Sequence, residues 1–395
     1  MSIEEYVEKK KNIQQVLLEY IDGESNVEEN YETLIQVLKE QHIIEERHDT
    51  KEMLYLISNI GNNHPRSNTF FHKLELILQH LKETITKLFS NNEIFEIFKN
   101  NKRILLFLIK EQIFLIDENF ISTITNGYYI GEHYFEYFYP EIKNIFTEEI
   151  INNYYVKISE SNNFIVELRK EIPSDFYSKR KEGENDNYLC QIIRTKRTKE
   201  FIVHIIQNNI PLDSYIPTSI YETNQLFLKD NKIKIIEYAA FFGSNEIIKY
   251  IRNEGIEIPS SIWFYAIHSG DAELIKYLED EQIPPPRNDY ENILRESIKS
   301  HHNDVSTYII NYLIKEEDLQ NDIINKFYNN LYRFSFEYRN YFFFPEDMRN
   351  KFIFYYLCEF DYFTLVNLYL TNFSIDINAT VIQGINIINE IHQIK

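Results

Sequence analysis

The sequence predicts an all-α protein, a helical-repeat solenoid preceded by a helical N-terminal region. Three observations carry that expectation. Gly (9) and Pro (10) are scarce in 395 residues, while hydrophobic residues make up 44%. That balance suits long helices with short connections and argues against a β-sandwich or a disordered chain. Apolar residues recur at three- and four-residue steps through much of the chain. The stretch Ile236–Ile283 also repeats itself. Tyr238-Ala239 is echoed by Tyr265-Ala266, Gly243 by Gly270, Glu246 by Glu273, and Lys249-Tyr250-Ile251 by Lys276-Tyr277-Leu278, each pair 27 residues apart. A self-match at constant offset marks stacked units.

Taken in order, residues 1 to about 60 read as helices, with Ile13, Val16, Leu17, Tyr20 and Ile21, then Leu34, Ile35 and Leu38, then Met53, Leu54, Leu56 and Ile57 as apolar stripes. Asp22–Asn26 is the first turn. Pro65 disfavours a helical His64 and ends this part. From Phe70 to Phe89 a wide apolar stripe predicts one long helix, with Ser67 or Asn68 at its N-cap. Glu93–Ile113 matches the second strong unit at an offset of 170: Leu108 falls on Leu278, Glu111-Gln112-Ile113 on Glu281-Gln282-Ile283, and Asn100-Asn101 on Gly270-Asp271. Asn is the usual substitute for Gly in a left-handed helix end, so a turn is expected there.

Residues 114–178 show no clean period. Gly127–Gly131 and Tyr134–Pro140 are aromatic-dense, and Ile142, Ile145, Phe146 and Ile150 suggest a helix. Lys179–Asn187 is polar and forms a seam. Tyr188–Ile206 reads as helix, turn, helix, and Arg194–Lys199 as its solvated end. Pro284-Pro285-Pro286 blocks any helix. Ser297–Ile309 is a weaker copy with His301 at the glycine place, and Leu357–Tyr369 another with Asp361 there. The chain therefore divides into a helical region 1–90, degenerate helical repeats 91–180 and a repeat solenoid 181–395.

Each residue of the repeat has a physical reason. Gly243 and Gly270 can take φ > 0 and end a helix without a Cβ clash. Ala239, Ala240 and Ala266 let neighbouring helices approach. Glu246 and Glu273 sit in the first turn of the second helix, favourable with its positive end, and Lys249 and Lys276 follow at ion-pair spacing. Trp263 and Phe264 open a first helix, where a stack meets its concave groove. With Glu237, Phe241 and His268 they are the candidate partner-binding residues, since aromatics dominate interface hot spots. Contact with the preceding unit is the competing expectation for them.

Ala239-Ala240-x-x-Gly243 and Ala266-x-x-x-Gly270, each followed by x-x-Glu-Ile/Leu-Ile-Lys, resemble the ankyrin core, in the divergent, isoleucine- and aromatic-rich form of large protist families of unknown function. Ser374–Ala379 resembles the finger opening a further ankyrin unit, as Asn208–Leu212 resembles one after a repeat. Arg180–Cys190 and Ile94–Ile109 resemble the N-terminal part of those families. The resemblance implies an ankyrin-like solenoid that binds protein on its concave face. The chain departs from it in two ways. Lys234–Glu237 and Ser261–Phe264 replace the Thr-Pro-Leu-His start, so the usual hydroxyl–imidazole tie is absent and apolar packing must join the units. The spacing of 27 falls short of about 33, which shortens the finger.

Composition narrows the function. A net charge of −20 repels phosphate backbones and anionic membranes and favours a protein partner with a basic surface. Two cysteines, Cys190 and Cys358, give no disulfide framework and suit a reducing, intracellular compartment. No apolar segment reaches the roughly 20 residues of a membrane span, and the start has no signal-peptide h-region. His42 and His48 miss metal spacing, and His72 and His80 lack further ligands. His301-His302 reads as a solvated turn. No phosphate loop or nucleophile motif is present. The expectation is a non-enzymatic protein-binding scaffold in the cytoplasm or elsewhere within the cell, without metal or cofactor. The alternatives are a solenoid that targets an N-terminal enzymatic or regulatory region, and a self-associating scaffold.

Overall fold

The computed structural model describes residues 1–125, 133–143, 145, 171–229, 232–286, 290–314, 321–349 and 351–373. The fold is all-helical, and among the described residues the only β pairing is an isolated antiparallel bridge between Tyr215 and Lys234. The stretches Gly127–Gly131 and Ser374–Ala379, and the expected helical residues Phe146 and Ile150, lie outside the described residues. The chain packs as two compact units, one of residues 1–60, 64–77 and 285–395, the other of 61–63 and 78–284. These units cut across the sequence regions 1–90, 91–180 and 181–395.

In the first unit, Ile3–Asp22 starts from a capping box in which the Ser2 hydroxyl accepts the Glu5 N–H and Glu5 accepts the Ser2 N–H. That satisfies two otherwise orphaned donors. Val27–Glu40 packs against it after the expected turn. The next helix ends at Asn63, and His64 is extended at ψ 148°, the conformation that Pro65 imposes on its predecessor. The single helix expected over Phe70–Phe89 is instead two, Phe70–His80 and Lys82–Leu88, divided at Leu81 with ψ −1°.

The two weak copies appear at their expected places. Helix Glu291–Lys299 ends with His301 at φ 59°, and Lys351–Glu359 with Asp361 at φ 59°. A third was not read from the sequence: Asn321–Glu337 ends with Arg339 at φ 53°. After each, the next amide reaches back five residues: His302 N–H to Ser297 O (3.0 Å), Asn340 to Ser335 (2.9 Å) and Tyr362 to Leu357 (2.9 Å). This is the Schellman closure, which satisfies helix carbonyls that would otherwise be orphaned.

In the second unit the same closure joins the helices of two pairs. Tyr188–Arg194 and Thr198–Gln207 meet at Lys196 (φ 54°), with Arg197 N–H to Ile192 O at 3.1 Å. Ile235–Phe241 and Asn245–Asn253 meet at Gly243 (φ 60°), with Ser244 N–H to Ala239 O at 2.8 Å. Ile262–Ser269 and Ala272–Asp280 meet at Gly270 (φ 65°), and there Asp271 caps the second helix at Leu274 N–H. First helices lie beside first helices and second beside second.

The second helices end alike too. Ile113, Ile210, Ile256 and Ile283 each donate five residues back, to Leu108, Ile205, Ile251 and Leu278, behind a left-handed Gln112, Asn209, Gly255 and Gln282. Gln112 and Gln282, which fall together at the 170-residue offset, share this conformation. At the other end of that alignment the expectation fails. Neither Asn100 nor Asn101 has positive φ; Asn101 is extended, its Oδ1 caps Ile104 N–H (3.0 Å) and its Nδ2 holds Gly61 O (2.8 Å). Tyr134–Ile142 is a helix whose aromatic side chains are all buried. A helix buried all round has no polar face, hence no period to read.

Polar ties add to the apolar packing expected to be the main link between neighbouring pairs. Ser261 Oγ donates to Glu237 Oε1 (2.5 Å), a hydroxyl–carboxylate link. Ser244 Oγ donates to Ile193 O (2.6 Å) and Asn245 Nδ2 to Asp271 Oδ2 (3.2 Å). Arg194 is not a solvated end either: it donates to Asn185 O (2.6 Å) and to Tyr238 Oη (3.0 Å), while Lys196, Arg197 and Lys199 are exposed. In place of a finger, Ile216 N–H meets Ile233 O (2.8 Å) and Ile235 N–H meets Ser214 O (3.1 Å).

The left-handed turns set a paired prediction. A Cβ on Gly243 would stand 2.9 Å from Asp271 Oδ2 at φ 60°. Gly243→Ala is expected to cost about 1–2 kcal/mol, whereas Lys196→Gly, at an exposed left-handed position, gains up to about 1 kcal/mol. Urea denaturation midpoints check both; equal effects of the same sign contradict the turn geometry.

Candidate functional site

The predicted binding residues come together inside the second unit, and they are covered. Trp263 is 1% exposed, and its Nε1 donates to Ile283 O at 2.8 Å. His268 is 1% exposed and stacks on Phe241 at 4.3 Å between centroids. Glu237 is buried, taking the Ser261 hydroxyl and the Lys234 N–H (2.8 Å). Phe264 is half-buried.

What covers them is the chain itself. On the short helix Gln225–Lys229, Phe227 lies 4.4 Å from Phe241, 5.0 Å from Tyr238 and 6.4 Å from Tyr265. The aromatics opening these first helices therefore pack rather than face a partner. Ala239, Ala240 and Ala266 are fully buried. Glu246 and Glu273 are exposed and share Lys249 at 3.1 and 3.2 Å.

An open groove remains on the first unit, of about 1040 Å³. Its long side is the outer face of Ile3–Asp22, carrying Glu8, Asn12, Gln15, Glu19 and Asp22. Asn30, Asn303 and the exposed Phe342 complete it. On its floor Gln14 is 2% exposed, with every polar atom engaged. Its Nε2 lies 2.8 Å from Asn340 Oδ1 and 3.0 Å from His301 Nδ1, and its Oε1 accepts Tyr341 N–H (2.7 Å).

The opposite face of the same helix carries a buried polar cluster. Tyr6 hydroxyl donates to Asp49 and to Glu52 Oε2 (3.2 Å). Lys10 Nζ lies 2.9 Å from Asp49 Oδ1 and 3.5 Å from Glu52 Oε2, and Tyr341 Oη 3.3 Å from the same Glu52 oxygen. Arg339 stacks over Tyr55 (4.3 Å) and Tyr362 (4.7 Å) and donates to Phe360 O (2.9 Å).

Burial raises the Glu52 carboxyl, with Lys10 and Arg339 opposing. Burial also opposes ionisation of Asp49, yet Lys10 and the Tyr6 hydroxyl hold that carboxyl below its usual value. His301, expected in a solvated turn, is 4% exposed, and burial, reinforced by His64 and His302, pushes it down to about 3. The cluster is sealed from solvent, so its groups bind one another rather than a substrate. Cys190 is buried as well, and burial pushes its thiol up to about 12. Among the described residues no group of three or more His, Cys, Asp or Glu is placed to hold a metal.

Sequence reasoning missed this cluster, although it left a signal. Tyr6, Lys10 and Gln14 follow one another at four-residue steps within the stripe of Ile3, Val7, Ile13 and Leu17, and polar residues on an apolar face need partners. Comparison with known protein families, curated proteins and solved structures finds no match for this chain.

Lys10→Met removes the cation shared by two buried carboxyls, leaving Asp49 to Lys9 (3.4 Å) and Glu52 to Arg339, and is expected to cost about 3 kcal/mol. Adding Glu52→Gln should restore at least about 1 kcal/mol of this, read by a double-mutant cycle in urea; strict additivity would contradict the coupling. His301 titrates in the unfolded chain near 6.5 and in the folded chain near 3. Stability is therefore expected to fall as pH drops through that window, by up to about 1.4 kcal/mol per pH unit from this residue. His301→Gln should flatten that acid limb, and an unchanged limb would refute the assignment.

Proposed function

We propose that this chain is a non-enzymatic protein–protein interaction scaffold, an ankyrin-like helical-repeat solenoid that binds a partner with a basic surface. The observation that carries the reading is recurrence. One device, a helix closed by a left-handed residue and an amide reaching back five residues, occurs at Lys196, Gly243, His301, Arg339 and Asp361. Repeated pairs hold a surface in shape before a partner arrives, so little ordering entropy opposes binding. The charge of −20 steers a cationic partner and raises the association rate. Trp263 is buried and its indole N–H is engaged by Ile283 O, so the partner surface lies elsewhere. No described helix is long and apolar enough to cross a membrane.

The test uses the purified full chain as bait, with light scattering on the chain alone. The reading expects a concentration-independent monomer that retains a saturable protein partner, with affinity falling at least about tenfold between 50 and 500 mM salt. A chain that retains no protein partner, or binds one indifferently to salt, overturns it. Concentration-dependent self-association in place of a partner points to a self-assembling scaffold and also overturns it.

A further inference from the structure

Helix Ile3–Asp22 carries a regular polar stripe, in which His64 Nε2 lies 2.7 Å from Asp22 Oδ1 and Gln15 Nε2 donates to Glu19 Oε1 (2.9 Å) while the remaining polar atoms face the groove. Glu8, Asn12, Gln15, Glu19 and Asp22 are spaced by four, three, four and three residues, the spacing that keeps side chains on one line along a helix. At about 1.5 Å per residue the stripe runs roughly 20 Å, and it forms the long side of the groove of about 1040 Å³. Carboxylates stand toward both ends and two primary amides lie between them. Phe342, 55% exposed, and the half-buried Leu18 supply apolar surface in the same groove.

We propose that this groove binds an extended peptide segment of a partner protein, bearing basic side chains on either side of an apolar one; this rests on the scaffold reading and names its site. The match is chemical and metric. A strand rises about 3.3 Å per residue and alternates its side chains, so about seven residues span the stripe, and two basic residues about six apart share one face and reach from Glu8 to the Glu19–Asp22 end. Asn12 and Gln15 offer donor and acceptor to the peptide backbone between them. The apolar residue lies on Phe342. Carboxylates outnumber cations along the lining, with Glu8, Glu19 and Asp22 against Lys11 alone, so a basic segment is favoured and an acidic one repelled. The floor is rigid because Gln14 is held by Asn340, His301 and the Tyr341 amide.

The probe is a fluorescent seven-residue peptide series on the full chain, with Lys or Arg at both ends and Leu or Phe at the third or fifth position, read by anisotropy. Saturable binding is expected for the basic-apolar-basic pattern and not for its Glu-ended counterpart. Glu8→Lys with Glu19→Lys should weaken it at least tenfold and Phe342→Ala several-fold. Glu246→Lys, an exposed carboxylate of the second unit, should leave it unchanged. Equal loss with Glu246→Lys, or no loss with Glu8→Lys and Glu19→Lys, overturns the groove. A dimer that the Glu8→Lys and Glu19→Lys chain cannot form makes a second copy the occupant and also overturns it. A protein partner retained equally by parent and by that double variant removes the groove while the scaffold reading stands; retention of none removes both.

Discussion

A single backbone residue in the left-handed region joins most of the described helix pairs, at Lys196, Gly243, Gly270, His301 and Asp361. To reverse direction within two or three residues, the chain must leave the right-handed basin once, and the cost is the Cβ clash that all residues but glycine suffer. The return is immediate. The following amide reaches the carbonyl five positions back, and a helix end that would be orphaned is closed. In Gly243 and Gly270 the residue suits the geometry. In His301 and Arg339, both buried, the same φ is held by what surrounds it, whereas Lys196 adopts it at an exposed position. Arg339 shows how: its guanidinium lies between two tyrosine rings and its donor ends on Phe360 O. Strain of this kind persists only where packing over-determines the backbone.

The two units solve the problem of joining helices differently. In the second, neighbouring pairs meet through small residues, with polar ties at their ends such as Ser261 to Glu237 and Asn245 to Asp271. In the first, the tie is a buried cluster of Tyr6, Lys10, Asp49, Glu52 and Tyr341, which links a helix at the start of the chain to a turn more than 280 residues later. Ionised groups so placed contribute little net stability compared with apolar residues of the same shape. What they contribute is register. Gln14 can meet Asn340, His301 and the Tyr341 amide together in one alignment only, and that alignment shapes the groove on the other face of its helix.

Legibility followed the range of the interactions. Local signals read well: Pro65 stops a helix, Gly243 and Gly270 mark left-handed turns, and the copies at His301 and Asp361 followed from the register of two strong units. The weak turn at Asn100–Asn101 failed because an asparagine can satisfy a helix start with its side chain as readily as a helix end with its backbone. The helix Tyr134–Ile142 hid because burial on every face erases periodicity. The candidate site was the least legible part. Trp263, Phe241 and His268 are all buried, and the ring over Phe241 is Phe227, a residue outside the repeat whose placement no local pattern encodes. The groove stripe was present in the sequence as Glu8, Asn12, Gln15, Glu19 and Asp22, yet on a helix an exposed polar face is ordinary until a cavity gives it a second side.

If paired helices closed by left-handed turns organise this protein, the amides that reach back five residues must be among its slowest to exchange. Amide hydrogen exchange of the native chain measures this directly at Arg197, Ser244, His302, Asn340 and Tyr362, and at Ile113, Ile210, Ile256 and Ile283. Protection at these positions comparable to that of the adjoining helix interiors, opening only with cooperative unfolding, is the predicted result. Exchange there as fast as in exposed loops, with the flanking helices still protected, would contradict it: the helices would then be independent elements and not closed pairs.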